Sequence, residues 1–416
     1  MRNGDTAWVL VSAALVLFMT PGLALFYVGM VRAKNVLAVI MQNFLCMALV
    51  TVLWAVVVWS LAFGSDAGGG LVGGLGLAGL GGMAKGIPGF HGLTVPPLAV
   101  VAFQLMFAII TAALISGGTV DRMRFSAFAV LITLWLFLVY APLAHWVFSP
   151  EGWLAHRGVL DFAGGTVVEI NSGFSTLGVV LVLGRRRGWP SEQMAPHSVP
   201  LSLLGAGILW FGWFGFNAGS ALAANSVAVH ALLNTQLAAA AGLIGWILFE
   251  RVKEGFPTTL GAASGAVAGM VAITPCAGYL APMASLLVGV AAGVVCAAAV
   301  RLKFRLRYDD SLDVLGVHGV GGLVGMVMLG LFATRSVNPA GADGLLVGGG
   351  VHLFAWELLA AVVAAVYCVV VTGGLALAVD RVMGLRVSPE VEFSGLDLAQ
   401  HAESAYSFGG GGRVGG

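Results

Sequence analysis

Charge is scarce in these 416 residues: Asp, Glu, Lys and Arg make up 9%, against roughly 25% in an ordinary globular domain. So few ionised groups cannot cover a surface for water, which excludes a soluble fold. The 20 basic and 19 acidic residues nearly cancel to a net charge of +1, so the chain has no overall basic field with which to bind nucleic acid. Cysteine is rare too. Cys46, Cys276, Cys296 and Cys368 all sit in apolar runs without CxxC spacing, which excludes a disulfide framework and a zinc site and reads as small buried hydrophobes. Strict alternation of apolar and polar residues is missing as well, so a transmembrane β-barrel is not expected. What abounds is apolar: 59% hydrophobic residues, a mean hydropathy of +0.97, and 61 glycines, about twice the usual ~7%. The glycines suit membrane helices packed closely together.

Runs of about 20 apolar residues predict membrane-spanning helices. Eleven are read, near 7–31, 36–63, 97–116, 126–148, 165–184, 198–221, 229–249, 257–278, 281–300, 313–333 and 348–379. The fold class expected is therefore an all-α polytopic membrane protein. Basic residues set its orientation: Arg32, Lys34, Arg122, Arg124, Arg185 to Arg187, Arg251, Lys253, Arg301, Lys303, Arg305 and Arg307 fall in alternate connections. With Arg381, Arg386 and Arg413 of the tail, 16 of the 20 share one side. The positive-inside rule makes that side cytoplasmic and puts the N-terminus outside. No removable signal peptide is expected, because no basic region and cleavage site precede the first span. Residues 68–92, with 12 glycines in 25 positions, read as an external loop; without a preceding strand or a following GKS/T they are no phosphate loop. Residues 1–383 form the expected membrane domain and 384–416 a polar cytoplasmic tail.

Spans one to five and six to ten run in opposite senses, the layout of a 5+5 inverted repeat (about 1–190 and 191–340) plus one peripheral helix, with a transport route at the interface. Ionisable residues inside spans cost about 2.5–3.5 kcal/mol each and mark function by default. Glu169 in span five and His318 in span ten occupy matching places in the two halves. Either they face one another across a narrow lumen, or each is satisfied by its own backbone. Asp161 and Asp313, at the outer end of span five and the inner end of span ten, read first as helix caps. Phe103 and Phe107 are i,i+4 neighbours on span three, and span six carries Trp210-Phe-Gly-Trp-Phe-Gly-Phe-Asn-Ala-Gly-Ser220. Such rings are packing elements in most helices, but a ring face also attracts a small cation by about 0.5–2 kcal/mol, and Ser220 adds an oxygen acceptor. Of the other histidines, His145 reads as a structural hydrogen-bonder. No residue pattern suggests a metal or organic cofactor.

At these residues the chain resembles the ammonium transporter family (Amt/Mep/Rh), on its bacterial Amt branch. The motifs that carry the resemblance run from end to end: Met19-Thr-Pro-Gly-Leu-Ala-Leu-Phe-Tyr27, Arg32-Ala-Lys-Asn-Val, Phe103-Gln-Leu-Met-Phe107, Pro142-Leu-Ala-His145, Asp161-Phe-Ala-Gly-Gly-Thr-Val-Val, Trp213-Phe-Gly-Phe-Asn-Ala-Gly-Ser220, Ala272-Ile-Thr-Pro275, Gly316-Val-His-Gly319 and Gly395-Leu-Asp. The resemblance implies a homotrimer with one pore per subunit, an outer ammonium site at Phe103, Phe107, Phe148 and Ser220, and a gate of Phe107 and Phe216. Trp213 would line the pore below the gate. It also implies a structural carboxylate at Asp161, a lining position at Thr274, and a tail that couples the pore to a PII-type signalling protein. Two positions depart from the pattern. Glu169 stands where the first of two pore histidines is usual, as in some fungal members, and Phe148 stands where the outer cage usually has tryptophan.

The function expected from this is electrogenic ammonium uptake through the cell (inner) membrane. Ammonium would lose its proton at the outer site, ammonia would cross an apolar lumen, and Glu169 with His318 would relay the proton. The alternatives are an ammonium sensor with little flux and a passive channel for ammonia or carbon dioxide. A membrane enzyme is disfavoured, because no HExxH or nucleophile–base motif is present.

Overall fold

The computed structural model describes residues 1–406 except Gln193, so Phe408 and Arg413 lie outside the described residues. Ten described helices are long and apolar enough to cross a bilayer: Asn3–Met30, Ala33–Phe63, Pro97–Thr119, Phe125–Phe148, Gly165–Leu183, Val199–Gly219, Ser226–Glu254, Pro282–Leu306, Leu315–Phe332 and Val351–Met383. They are spans one to seven and nine to eleven. Span eight is the shorter apolar helix Thr259–Ile273. The chain is thus a multi-pass, all-helical membrane protein.

Span eight was expected over 257–278 and is shortened for a physical reason. Its 15 residues rise about 22 Å, less than the ~30 Å hydrocarbon core. Pro275 cannot donate the next helical hydrogen bond, and the chain leaves the helix as a series of turns. Bare carbonyls in that stretch are affordable only if protein satisfies them. Asn234 of span seven does so, donating to the Ala277 and Leu280 carbonyls at 2.9 and 2.7 Å. Span four solves the same difficulty differently. Pro142 leaves the Leu138 carbonyl without its helical donor, and the Tyr367 hydroxyl of span eleven supplies one at 2.6 Å.

Spans five and ten begin alike. Each opens with a π-helical turn, Gly165–Ile170 and Leu315–Gly319, an irregularity frequent at functional sites. The two helices cross at glycines: a Cβ on Gly173 would stand 2.3 Å from the Gly319 Cα, so any side chain there would force them apart. That close crossing brings Glu169 and His318, one on each turn, to the same depth.

The tail segments Pro389–Ser394 and Leu396–His401 dock on the face carrying Lys34, Arg122, Arg124, Arg186 and Arg187. Asp397 accepts the Ala38 N–H at 2.9 Å, Asn35 accepts the Leu396 N–H at 2.8 Å, and Glu392 accepts the Arg187 N–H at 2.7 Å while pairing with Arg386. Beneath the tail, Arg186 bonds Asp309 through two nitrogens, at 2.9 and 2.8 Å. Asp309 is buried, yet that guanidinium holds its carboxyl below the usual range. All four cysteines are free and buried.

Candidate functional site

The candidate site is a column of side chains from spans one, three, four, five, six and ten. At its top Phe103 and Phe107 stand 4.9 Å apart, and Phe107 stacks on Phe216 at 4.2 Å with the ring planes 21° apart. Phe103, Phe107 and Phe216 are at most 1% exposed. Phe148 meets Phe107 edge-on at 6.4 Å. Its neighbour Trp146 turns away, donating to the Leu71 carbonyl at 2.8 Å and packing on Tyr367, so Phe148 is the aromatic that span four contributes. Ser220 ends span six half-buried; its hydroxyl donates to the Phe216 carbonyl at 2.8 Å, which leaves the oxygen lone pairs free to accept.

Below the stacked rings, Trp213 packs on Phe216 at 5.6 Å, and its ring N–H donates to the Thr274 hydroxyl at 2.9 Å. Thr274 therefore orients the tryptophan. Phe216, Trp213, Leu23, Leu114, Glu169 and His318 then enclose a narrow cavity with about 10 Å³ for the centre of a water-sized molecule, room for about one such guest. His318 Nδ1 and Glu169 Oε2 lie 2.7 Å apart, with the residues 5% and 1% exposed. The two groups face one another, which decides between the readings left open by the sequence. Beyond His318, a second cavity of about 60 Å³, lined by Tyr27, Trp246, Ser264 and Asp313 among others, leads toward the basic face. A cleft of about 470 Å³ with Arg186, Lys303 and Asp313 on its walls follows.

The caps at the ends of spans five and ten are only half as expected. Asp161 accepts the backbone N–H groups of Gly164, Gly165 and Thr166 at 2.6–2.8 Å and the Thr166 hydroxyl at 2.5 Å, a full cap for the helix that bears Glu169. Asp313 is not a cap. It takes a left-handed backbone, φ 63°, and pairs with Lys303 at 2.5 Å. The cap of span ten is Asp310, which accepts the Leu315 N–H at 2.7 Å, because the left-handed residue turns the Asp313 side chain out of line with the helix that follows.

Burial, then the neighbouring Asp313 carboxylate, push the Asp310 carboxyl up to about 6, against the pull of Lys303. Folding thus favours the protonated acid. This contribution to stability is full below the unfolded value near 4 and is lost as pH rises through about 6. Asp310→Asn removes the titration, so its thermal midpoint relative to wild type should be higher at pH 7 than at pH 4.5. Thermal unfolding of the two detergent-solubilised proteins at both pH values measures it.

Sequence reasoning passed over two more carboxylates. Asp310 sits in an Asp-Asp doublet at the end of a span, and that doublet was the available signal. Glu357 lies within span eleven, fully buried, accepting the Leu160 N–H at 2.7 Å just before Asp161; its position inside an apolar run should have marked it. His145 is buried and bonds the Ala62 carbonyl through Nδ1 at 3.0 Å, in keeping with a structural role.

Residues 7–406 match the Ammonium Transporter Family. The chain belongs to this family. An ammonium transporter of Mycobacterium tuberculosis (strain ATCC 25618 / H37Rv) is 50% identical over 436 residues, covering 98% of this chain and 91% of its own length. Among solved structures, Candida albicans Mep2 superposes with a TM-score of 0.86 at 34% identity, covering 97% of this chain and 90% of that one. A structure described as a sensor Amt protein superposes with a TM-score of 0.87 at 27% identity, over 96% and 98% of the two chains. Family and fold together support ammonium transport by this member of the family.

Proposed function

We propose that this ammonium transporter takes up ammonium electrogenically by separating the ion into ammonia and a proton that cross by different groups. One observation carries the reading: a plug of two stacked, buried rings, Phe107 on Phe216, lies above a buried carboxyl–imidazole contact, Glu169 with His318. An unpaired ion entering such a lumen would lose its hydration at a cost of several kcal/mol, whereas neutral ammonia loses far less. Ammonium is held first by the faces of Phe103, Phe107 and Phe148 and by the free lone pairs of Ser220. It gives up its proton there; ammonia passes Phe107 and Phe216 and runs along Trp213. Glu169 and His318, 2.7 Å apart, accept and release the proton. Asp161 fixes the helix that bears Glu169, and Asp313 with Lys303 borders the exit.

The face with the basic connections is cytoplasmic, the N-terminus is outside, and the protein sits in the cell (inner) membrane as a homotrimer of eleven-helix subunits. Within residues 1–383 the inverted halves are about 1–190 and 191–340. The tail, whose segments Pro389–Ser394 and Leu396–His401 dock on the connections around Lys34, Arg122 and Arg187, is the surface on which a PII-type signalling protein acts.

Purified protein in liposomes, given an ammonium jump under controlled voltage, tests the reading. Wild type should give a saturating inward current that grows with negative internal potential. Ser220→Ala should raise the half-saturating ammonium concentration about 5–10-fold, the equivalent of roughly 1–1.5 kcal/mol for one hydrogen bond. Flux that ignores voltage would replace this mechanism with passive conduction, and ammonium binding without flux would make the protein a sensor.

A further inference from the structure

The turn after span six is held from a distance. Residues 220–225 form it, with Leu222 in a left-handed backbone at φ 48°, a conformation that costs of order 1 kcal/mol or more and needs outside support. The turn closes its own first bonds, Ala221 N–H to Ala218 and Leu222 N–H to Gly219. The next partner comes from 219 residues away: the Ala224 N–H donates to the Asp5 carboxylate at 2.9 Å. The other Asp5 oxygen accepts the Thr94 hydroxyl at 2.5 Å, and the Thr94 carbonyl accepts the Arg2 N–H at 2.7 Å. A carboxylate in the first turn of a helix ordinarily accepts from that helix's own free amides. Both oxygens of Asp5 reach other segments instead, and the residue is buried.

The next contacts of span one follow the same stripe, at spacings that share one helix face. Trp8 donates its ring N–H to the Ala218 carbonyl at 3.2 Å. Ser12 then packs on Gly219, where a Cβ would stand 2.5 Å from the Ser12 Cβ and 2.8 Å from the Phe103 ring. Asp5, Trp8 and Ser12 thus track the last turn of span six, which holds Phe216 and Ser220.

We infer that Asp5 is a positioning residue for ammonium entry. It fixes the 220–225 turn and so sets the Ser220 hydroxyl against the Phe103 and Phe107 rings, without touching the substrate. The inference rests on the binding role proposed above for Ser220. A hydroxyl moved by about 1 Å loses its geometry toward a bound ion, while the proton pair at Glu169 and His318 lies deeper and is untouched. Loss of Asp5 therefore weakens recruitment and spares the maximal rate.

Ammonium-jump currents from proteoliposomes at fixed pH and voltage test this. Asp5→Ala should raise the half-saturating concentration about fivefold, with maximal current within twofold of wild type. Asp5→Asn, whose carbonyl still accepts the Ala224 N–H, should stay within twofold on both. Thr94→Val, which removes one of the two bonds, should raise the half-saturation about twofold. The inference is overturned if Asp5→Ala lowers maximal current without moving half-saturation, or if neither Asp5→Ala nor Thr94→Val moves it. Should Asp5→Ala give no folded protein, Thr94→Val decides alone. Ser220→Ala separates this failure from the broader one. If it raises half-saturation while the Asp5 and Thr94 variants do not, only the positioning role falls; if it too is silent, the reading of Ser220 falls and this inference with it.

Discussion

Glu169→Gln should lower the ammonium-driven current about 100-fold or more while leaving the protein folded. The glutamine keeps the size of the side chain and can still hydrogen-bond His318 Nδ1, now 2.7 Å from a carboxylate oxygen, but it cannot take up or give back a proton. Positioned proton-transfer groups contribute about 10²–10⁴-fold to rates, so the loss belongs in that range. Glu169→Leu should lose current equally and stability as well, because it leaves the imidazole of His318 buried without its partner. Glu169→His is the informative third variant. A second imidazole replaces an acid with a base in the pair, so current should return with a displaced pH optimum and a smaller potassium leak. Currents across a pH series, with potassium as the control cation, distinguish the three. An unchanged profile in Glu169→His would remove the acid from the mechanism.

Arg122→Ala should destabilise the fold by about 3–5 kcal/mol, the range for removing one member of a buried, bonded charge group. Arg122 is 0% exposed, and its guanidinium ties together three segments: its own connection, the end of span five at Gly184, and residues 309–311. It donates to the Gly184 carbonyl at 2.9 Å, the Val120 carbonyl at 3.2 Å, the Ser311 hydroxyl at 2.7 Å and the Asp309 carbonyl at 2.6 Å, while its own carbonyl accepts the Val387 N–H at 3.0 Å. Burial pulls its pKa down to about 10, Asp309 opposing, so it remains a cation at neutral pH. Truncation strands these acceptors and leaves the cationic side of the Asp309 group to Arg186. Arg122→Lys should fare little better, since one ammonium cannot reproduce a planar fork of donors. A fall in thermal midpoint of roughly 3–6 °C is expected for a chain of this length, measured on detergent-solubilised protein. The Arg122 backbone carbonyl seats Val387 at the start of the tail, so loosening of this connection should make proteolysis of the tail faster in both variants.

The two sites differ in how far they could be read before any coordinates. Glu169 and His318 stand out in sequence, since an ionisable residue in an apolar run announces its cost. Phe107 and the run containing Phe216 stand out as rings on their helices, but their pairing as a gate came only through the family motifs, because aromatic residues on a membrane helix are as often packing as plug. Arg122 showed only as one more basic residue in a connection. Its importance lies in the carbonyls around it, and those come from residues 120, 184 and 309, which no local pattern joins. Asp313 shows the opposite failure: its position at a helix start fitted a cap, but a left-handed backbone turned it toward Lys303 and left the capping to Asp310.

Hydropathy alone determined that the chain is a multi-pass helical membrane protein, because the cost of burying charge in hydrocarbon is paid residue by residue and needs no partner. The resemblance of its motifs supplied the family. The tertiary structure alone decided whether Glu169 meets His318, which aromatic of span four reaches Phe107, and what holds Ser220 in place. Each depends on the approach of helices distant in sequence. That approach is set by glycines such as Gly173 and Gly319, whose meeting distance is a property of two packed backbones and of neither sequence segment alone.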